Sequence, residues 1–346
     1  MKFALFALAC LLLLDYSNSS LAQTQTIFTT EQARFFERQP FFATKAANRQ
    51  GLRHIGVEVI ALEEGFTVSN VLDGYPAQQA GLRRGDRILT VDGAAFHPVN
   101  SFKSETDSLQ PDGPRSFTLE LERDGERLSV EVEAVDENLY DSRRSAANFS
   151  IQEFSAGNKT IAYFHPWSLS RNLNDILSFL DTISNLKLSD GLILDLRDSY
   201  GFLSIQHLDA FQPSRRTVFQ ITGGNNEHTQ LNWLAPSLQS DHYGKPIAIL
   251  IDGATAGGAE LLAFQLAKLD RVTTVGEPTA GELGSYHFDE ANNKLIYVPP
   301  AAAMVDALPI QEFRVQPKLE IPYPLTQTSR SDPQFEAAFN VLLGRI

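Results

Sequence analysis

Ser285 and His287 stand two residues apart, so on a strand their side chains would share one face, beside Glu282. A hydroxyl, an imidazole and a carboxylate are the ingredients of nucleophilic acyl transfer, in which a base takes the proton of an attacking oxygen. Thr255 offers a second hydroxyl, just ahead of the pair Gly257-Gly258. Each residue also has a plainer use: Ser285 and His287 as ordinary strand residues, Thr255 as a turn hydroxyl. Other chemistries fail on residue type. The histidines (54, 97, 165, 207, 228, 242 and 287) show no HxxxH or HxH spacing, so nothing supports a metal site. Gly223-Gly224 and Gly257-Gly258 lack the Lys-Ser/Thr of a phosphate loop. The single cysteine, Cys10, excludes a disulfide framework and any CxxC motif. No cofactor is implied.

The elements that must position these residues begin behind a targeting segment. Residues 1–22 read as a secretory signal peptide: basic Lys2, an apolar run from Phe3 to Leu14, and Ser20-Leu21-Ala22 before the cut. That run is too short to span a bilayer, and no later segment is long and apolar enough. Ala7-Leu8-Ala9-Cys10 resembles a lipidation box, but a cut there would fall inside the apolar run, so lipidation is set aside. Cleavage after Ala22 removes Cys10, and the thiol-free remainder suits an oxidising periplasm or exterior. The 346 residues, 43% hydrophobic and 21% charged, suggest about two folded domains and argue against disorder. With 42 acidic against 29 basic side chains, the net charge of −13 disfavours a nucleic-acid partner.

Residues 23–50 read as a helical lead-in anchored by Phe35, Phe36, Phe41 and Phe42. Over 51–136 the pattern is one of short alternating strands, with Asp124-Gly125 marking a hairpin. Residues 137–150 are polar and unpatterned, which predicts a linker. From 151 to 346 continuous apolar strands alternate with helices. Ile161–Phe164, Gly191–Arg197, Pro246–Asp252 and Val272–Val275 are the strands. Leu173, Ile176, Leu177, Leu180 and Ile183 fall at helical spacing behind a possible cap at Asn172, and a second helix is expected over roughly 258–269. This texture predicts a mostly parallel sheet covered on both faces.

Two resemblances sharpen the reading. Tyr75-Pro-Ala-Gln-Gln-Ala-Gly-Leu-Arg-Arg-Gly-Asp-Arg-Ile-Leu-Thr-Val-Asp-Gly93 resembles the core signature of PDZ domains, closest to the bacterial protease-associated kind. His54-Ile55-Gly56-Val57 then looks like the carboxylate-binding loop, whose backbone N–H groups capture a peptide C-terminus while the peptide adds as a strand. The resemblance implies that Ile55, Gly56 and Val57 contact the peptide. It also places the groove beside a helix near Val99–Leu109, with Phe102 as a wall.

The second resemblance covers about residues 51–343. Gly191-Leu-Ile-Leu-Asp-Leu-Arg-Asp-Ser-Tyr-Gly201 is similar to the GLILDLRxNxGG strand and turn of C-terminal processing (tail-specific) serine proteases. Ile249–Glu260 (ILIDGATAGGAE) is similar to their NGxSASASE nucleophile segment, and Arg271–Gly284 to their RATIVGExTxGKG segment. Val315–Pro322 and Asp332–Ala338 fit the family's closing pattern. The implied fold is α/β, a crotonase-like core preceded by a β-rich PDZ domain. The departures carry equal weight. The family's nucleophilic Ser falls on Gly257 and its general-base Lys on Glu282, in unbroken register. The double Gly beside the oxyanion hole is Gly201-Phe202, and Gly201 and Gly258 mark the oxyanion positions. Acyl transfer has no oxygen at Gly257, and a carboxylate at Glu282 opposes a developing oxyanion.

Three functions follow as expectations. The first is an exported pseudopeptidase that binds peptide or protein C-termini, including those of an active relative, as regulator or scaffold. The second is a serine-type endopeptidase rebuilt around Ser285, His287 or Thr255. The third is a hydrophobic-ligand binder, since the interphotoreceptor retinoid-binding proteins resemble this core and the chain holds 23 Phe.

Overall fold

The computed structural model describes residues 51–62, 65–98, 100–102, 115–170, 172–211, 219–222, 228–231, 242–283, 285–289, 294–298, 302–305, 308–309, 314–325 and 331–346. The expected signal peptide and helical lead-in lie outside the described residues, as do 99 and 103–109 of the expected PDZ helix.

The N-terminal unit is a sheet of β1 (Gly51–His54), β2 (Val57–Leu62), β3 (Gly65–Val71), β4 (Arg87–Val91), β5 (Ala94–Ala95), β6 (Arg115–Arg123) and β7 (Glu126–Asn138), with a short helix α1 (Pro76–Gln79) after β3. The path runs β1-β7-β6-β4-β3-β2, with β5 beside β4. The β6–β7 hairpin turns on Asp124 and Gly125, both at positive φ (54° and 79°), the conformation that a two-residue turn matching strand twist requires. Alternate residues Phe117, Leu119 and Leu121 point inward with Val68, Ile88 and Val132 to form the core. Among the described residues β2 pairs only with β3 and closes the sheet as an edge strand.

The expected linker is replaced by structure. β7 runs on to Asn138, and residues 139–149 form helix α2 (Leu139–Phe149), with the Asn138 side chain accepting from the Asp141 N–H at its start. Apolar periodicity missed this helix because much of its buried face is polar. Leu139, Tyr140, Ser142, Arg143 and Ala146 are its buried residues. Arg143 reaches both ways: Nη2 pairs with Glu58 on β2, while Nη1 donates to the carbonyls of Trp167 (3.1 Å) and Asp198 (3.3 Å). A hydrophobic knot of Leu72, Tyr75, Ala146 and Trp167 completes the junction between the two units.

The C-terminal unit follows as β8 (Gln152–Ala156), β9 (Lys159–Phe164), β10 (Ser168–Leu169), α3 (Leu173–Asn185), β11 (Gly191–Asp195), β12 (Tyr200–Gly201) and α4 (Ile205–Asp209). Next come β13 (Phe219–Thr222), β14 (His228–Leu231), β15 (Ile247–Ile251), α5 (Gly257–Leu266), β16 (Val272–Gly276), β17 (Ser285–Asp289) and β18 (Lys294–Val298). It ends with β19 (Ala302–Val305), β20 (Leu308–Pro309), β21 (Leu319–Glu320) and α6 (Pro333–Leu343). Its main sheet, β21-β16-β15-β11-β9-β8, is parallel except at β8–β9. Leu192, Leu194, Ile247, Ile249 and Ile251 pack on the α3–α5 side. Ile193, Ala248 and Leu250 meet Ala338 and Leu342 of α6 on the other. Coverage on both faces explains why these strands are apolar throughout. α3 starts at the expected cap, Asn172, but buries Ile176, Phe179, Leu180 and Ile183 while exposing Leu173 and Leu177.

Candidate functional site

The parallel strands β15 and β11 carry the two turns that build the site at their C-terminal ends. After β15, the turn 252–256 leads into α5, whose first residue is Gly257. Gly257 sits at φ +58°, where an added Cβ would lie 2.9 Å from the Gly201 carbonyl oxygen and 3.4 Å from the Tyr200 ring. A serine here would be strained in backbone and crowded by backbone. At Gly258 a Cβ would stand 2.3 Å from the Leu203 nitrogen and 2.4 Å from the Phe202 carbonyl carbon. The chain after β12 therefore lies directly against the start of α5. Of the two positions that the resemblance marks for an oxyanion hole, Gly201 turns its carbonyl toward Gly257. The N–H of Phe202, at the second position of the double Gly, is given to the Leu169 carbonyl at 2.9 Å.

Glu282 lies beside this point through its backbone: the Gly257 N–H donates to the Glu282 carbonyl at 3.0 Å. The adjoining carboxyl, Glu260 of α5, is wholly buried. Its Oε1 accepts the Thr279 hydroxyl and the Gly281 N–H (2.8 Å), and its Oε2 has no hydrogen-bond partner. Burial pushes Glu260 up to about 7; the Glu282 charge adds to this, against the hydrogen bonds of Thr279, Gly281 and Glu282. Thr255 is committed elsewhere. Its hydroxyl contacts the Leu196 carbonyl at 2.8 Å and Asp252 Oδ1 at 3.0 Å, and its Oγ1 accepts the Asp252 N–H. The backbone of Ser285 pairs opposite Val298 and that of His287 opposite Ile296. Their side chains lie outside the described part of the structure.

A cavity of about 230 Å³ opens where the segment after β3 faces the ends of β11 and β15. Asn70 Nδ2 donates to Asp198 at 3.1 Å, and Trp167 Nε1 donates to Asp73 at 3.0 Å. Arg84 gives Nη2 to the Tyr323 carbonyl (2.7 Å) and stacks over the Tyr323 ring. On its core side Arg197 pairs with Asp195 (2.5 Å) and Asp332 (2.7 Å). Burial pushes Asp195 upward, but the charges of Arg197 and His165 outweigh this and hold it at about 2. Asp252 behaves oppositely: burial, then the Asp198 charge, push it up. Its Oδ1 accepts the N–H groups of Asp198, Ala254 and Thr255. Asp252 stands where the NGxSASASE pattern has Asn, a substitution visible in the sequence that points to this carboxyl. Asp195, Arg197 and Asp198 lie in the segment similar to GLILDLRxNxGG, and Asp332 and Gln334 in the closing pattern, so these stretches were visible in the sequence while their convergence on one cavity was not.

In the PDZ unit the segment expected to receive a carboxylate has part of its backbone already hydrogen-bonded within the chain. The Ile55 carbonyl accepts from Ala77, the Gly56 carbonyl from Leu72, and the Gly56 N–H donates to His54 Nδ1 at 3.1 Å. Val57 opens the edge strand β2. Phe102 is a correction: it is 1% exposed and packs edge-on between Phe96 and Phe117, so it belongs to the core rather than to a groove wall.

Known proteins place this geometry. A family model described as PDZ domain matches residues 54–134, and one described as Peptidase family S41 matches 157–312. The carboxyl-terminal-processing protease of Synechocystis sp. is 27% identical over 300 residues, covering 80% of this chain. The carboxy-terminal processing protease CtpA of Bacillus subtilis is 24% identical over 268 residues, covering 74%. The chain spans 64% and 51% of the length of these two relatives. A putative S41 protease from Bacteroides fragilis shares the fold at a TM-score of 0.53 and 15% identity, over 86% of this chain and 87% of that one.

Proposed function

Because the chain belongs to the C-terminal processing proteases, with a PDZ domain ahead of an S41 peptidase core, we propose that it is an exported member that binds peptides without cutting them. The observation that carries the reading is the pair Gly257 and Glu282, a missing nucleophile beside a carboxylate. Three features of the surroundings support it: the crowding at Gly257, the Phe202 N–H given to Leu169, and the backbone packed on Gly258. Without an attacking oxygen or its base, triad enzymes keep only about 10³–10⁴-fold over water. The peptide would add to the edge of β2, in the manner of strand addition to a sheet. A tail of an active relative is one such ligand, which would make the protein a regulator or scaffold. Export rests on the signal-peptide pattern of residues 1–22; among the described residues no helix is long and apolar enough to cross a membrane.

The test is incubation of the purified, processed chain with unfolded casein and with a C-terminally tagged peptide. No cleavage is expected. Cleavage that Glu282→Ala abolishes would overturn the reading in favour of a rebuilt endopeptidase. Thr255 gives that alternative little, with its hydroxyl held by Leu196 and Asp252. The hydrophobic-ligand alternative gains nothing from the described cavity, half of whose lining residues are Asp, Glu or Arg.

A further inference from the structure

His54 sits at the end of β1, nearly buried, with every ring nitrogen engaged. Nδ1 accepts the Gly56 N–H at 3.1 Å, so this nitrogen carries no proton. Nε2 must then be the protonated one, and it donates to Ser142 Oγ of α2 at 2.9 Å. The Ser142 hydroxyl donates to Glu137 Oε2 at 2.9 Å, with the Asn138 carbonyl also in reach at 3.2 Å, and the Tyr75 hydroxyl donates to the same Glu137 oxygen at 2.5 Å. Tyr75 also stacks on the His54 ring at 5.7 Å between centroids. The ring proton of His54 is thus directed toward Ser142, whose own hydroxyl has acceptors in Glu137 and the Asn138 carbonyl. Burial drives His54 down to about 4 despite the charges of Glu137 and Asp136, so the ring is neutral at ordinary pH and this arrangement stands.

Gly56 lies in the middle of the loop whose N–H groups would receive a peptide carboxylate. We propose that His54 withholds the Gly56 N–H from that carboxylate, and so acts as a positioning residue that sets how little a ligand's C-terminus contributes to binding. Recruiting the Gly56 N–H to a ligand would leave Nδ1 buried without a donor, and that penalty offsets the bond gained. The ligand class is therefore an extended peptide segment held by strand pairing along β2, with a free carboxylate contributing little. This inference rests on the peptide-binding reading above and narrows it.

The experiment uses the immobilised full chain and a degenerate decapeptide pool, supplied once with free C-terminal carboxylates and once amidated. The wild type is expected to retain both pools within about twofold of each other. His54→Phe keeps the ring shape but removes the acceptor. It should raise the free-acid preference roughly tenfold, the scale of one hydrogen bond to a charged group. His54→Asn, whose side-chain oxygen can accept an N–H two residues on, should return the wild-type ratio. Should His54→Phe fail to fold, Ser142→Ala takes its place, since it frees the ring to change tautomer and shifts the ratio the same way. Nitrogen-15 shifts of the wild-type ring should show Nδ1 bare and Nε2 protonated. An unchanged ratio in the folded variants, a wild-type ratio already near tenfold, or the opposite tautomer overturns the proposal alone. Retention of neither pool by any form overturns peptide binding itself, and this proposal with it.

Discussion

The backbone N–H of Gly257 donates to the carbonyl of Glu282 across 3.0 Å, which sets side by side the two positions where the resemblance expects a serine and a lysine. The two departures from the family pattern thus fall at one place in space, although they lie 25 positions apart in the chain. Restoring side chains there must contend with the backbone that now fills the place.

The double variant Gly257→Ser/Glu282→Lys is expected to gain no cleavage of casein. The serine would occupy φ +58° with its Cβ pressed on the Gly201 carbonyl, and the Phe202 N–H would still be given to Leu169. The backbone strain alone should cost about 1–3 kcal/mol in denaturant unfolding. Measurable turnover by this variant would show that the site opens more readily than its packing implies.

Gly258→Ala tests the closure directly. A methyl group would stand 2.3 Å from the Leu203 nitrogen, so the chain after β12 or the start of α5 must move. Destabilisation of about 1–3 kcal/mol is expected, the range for overpacking. A thermal midpoint equal to wild type would mean that the segment 201–203 yields freely.

Glu260→Gln separates charge from shape. A carboxyl raised from 4.5 to about 7 binds its proton more tightly folded than unfolded, so its stabilising contribution is lost as pH rises through that window. The variant does not titrate, and its stability relative to wild type should climb between pH 4.5 and 7. By the conversion of one pKa unit to 1.36 kcal/mol, the climb is at most about 3 kcal/mol. A flat difference across this range contradicts the assignment.

Arg197→Met should be costly, because it strands Asp195 without its partner inside the core. About 3–5 kcal/mol is expected at pH 7 from chemical denaturation. The loss should shrink toward pH 4, where a stranded Asp195 can take up a proton. An equal loss at both pH values would mean that packing, not charge, dominates at this position.

Much of this architecture was legible because its forces are local or periodic. β11 and β15 announce themselves as apolar runs, since both faces of their sheet are covered. The hairpin at Asp124-Gly125 follows from the one conformation such a pair favours. Gly257 and Glu282 were singled out by the family resemblance, and the 3.0 Å backbone bond joins the two positions. α2 was not legible by hydropathy, because Ser142 and Arg143 are buried through hydrogen bonds and ion pairs instead of apolar contact. Asn138 with Asp141 three residues on was the available signal for its start. Phe102 misled for a related reason: a phenylalanine near a groove and one in a core look alike until its ring neighbours are known.

Arg143 gives one guanidinium to Glu58 on the sheet side and to the carbonyls of Trp167 and Asp198 on the other. Loosening either unit would strip this buried cation of part of its partners. The two units should accordingly melt in one calorimetric transition, with an enthalpy matching its sharpness. An excised fragment ending at Ala134 should be less stable than the same sheet within the whole chain. A chain that looks divisible in sequence should then unfold as a single thermodynamic body, because its divider is shared property.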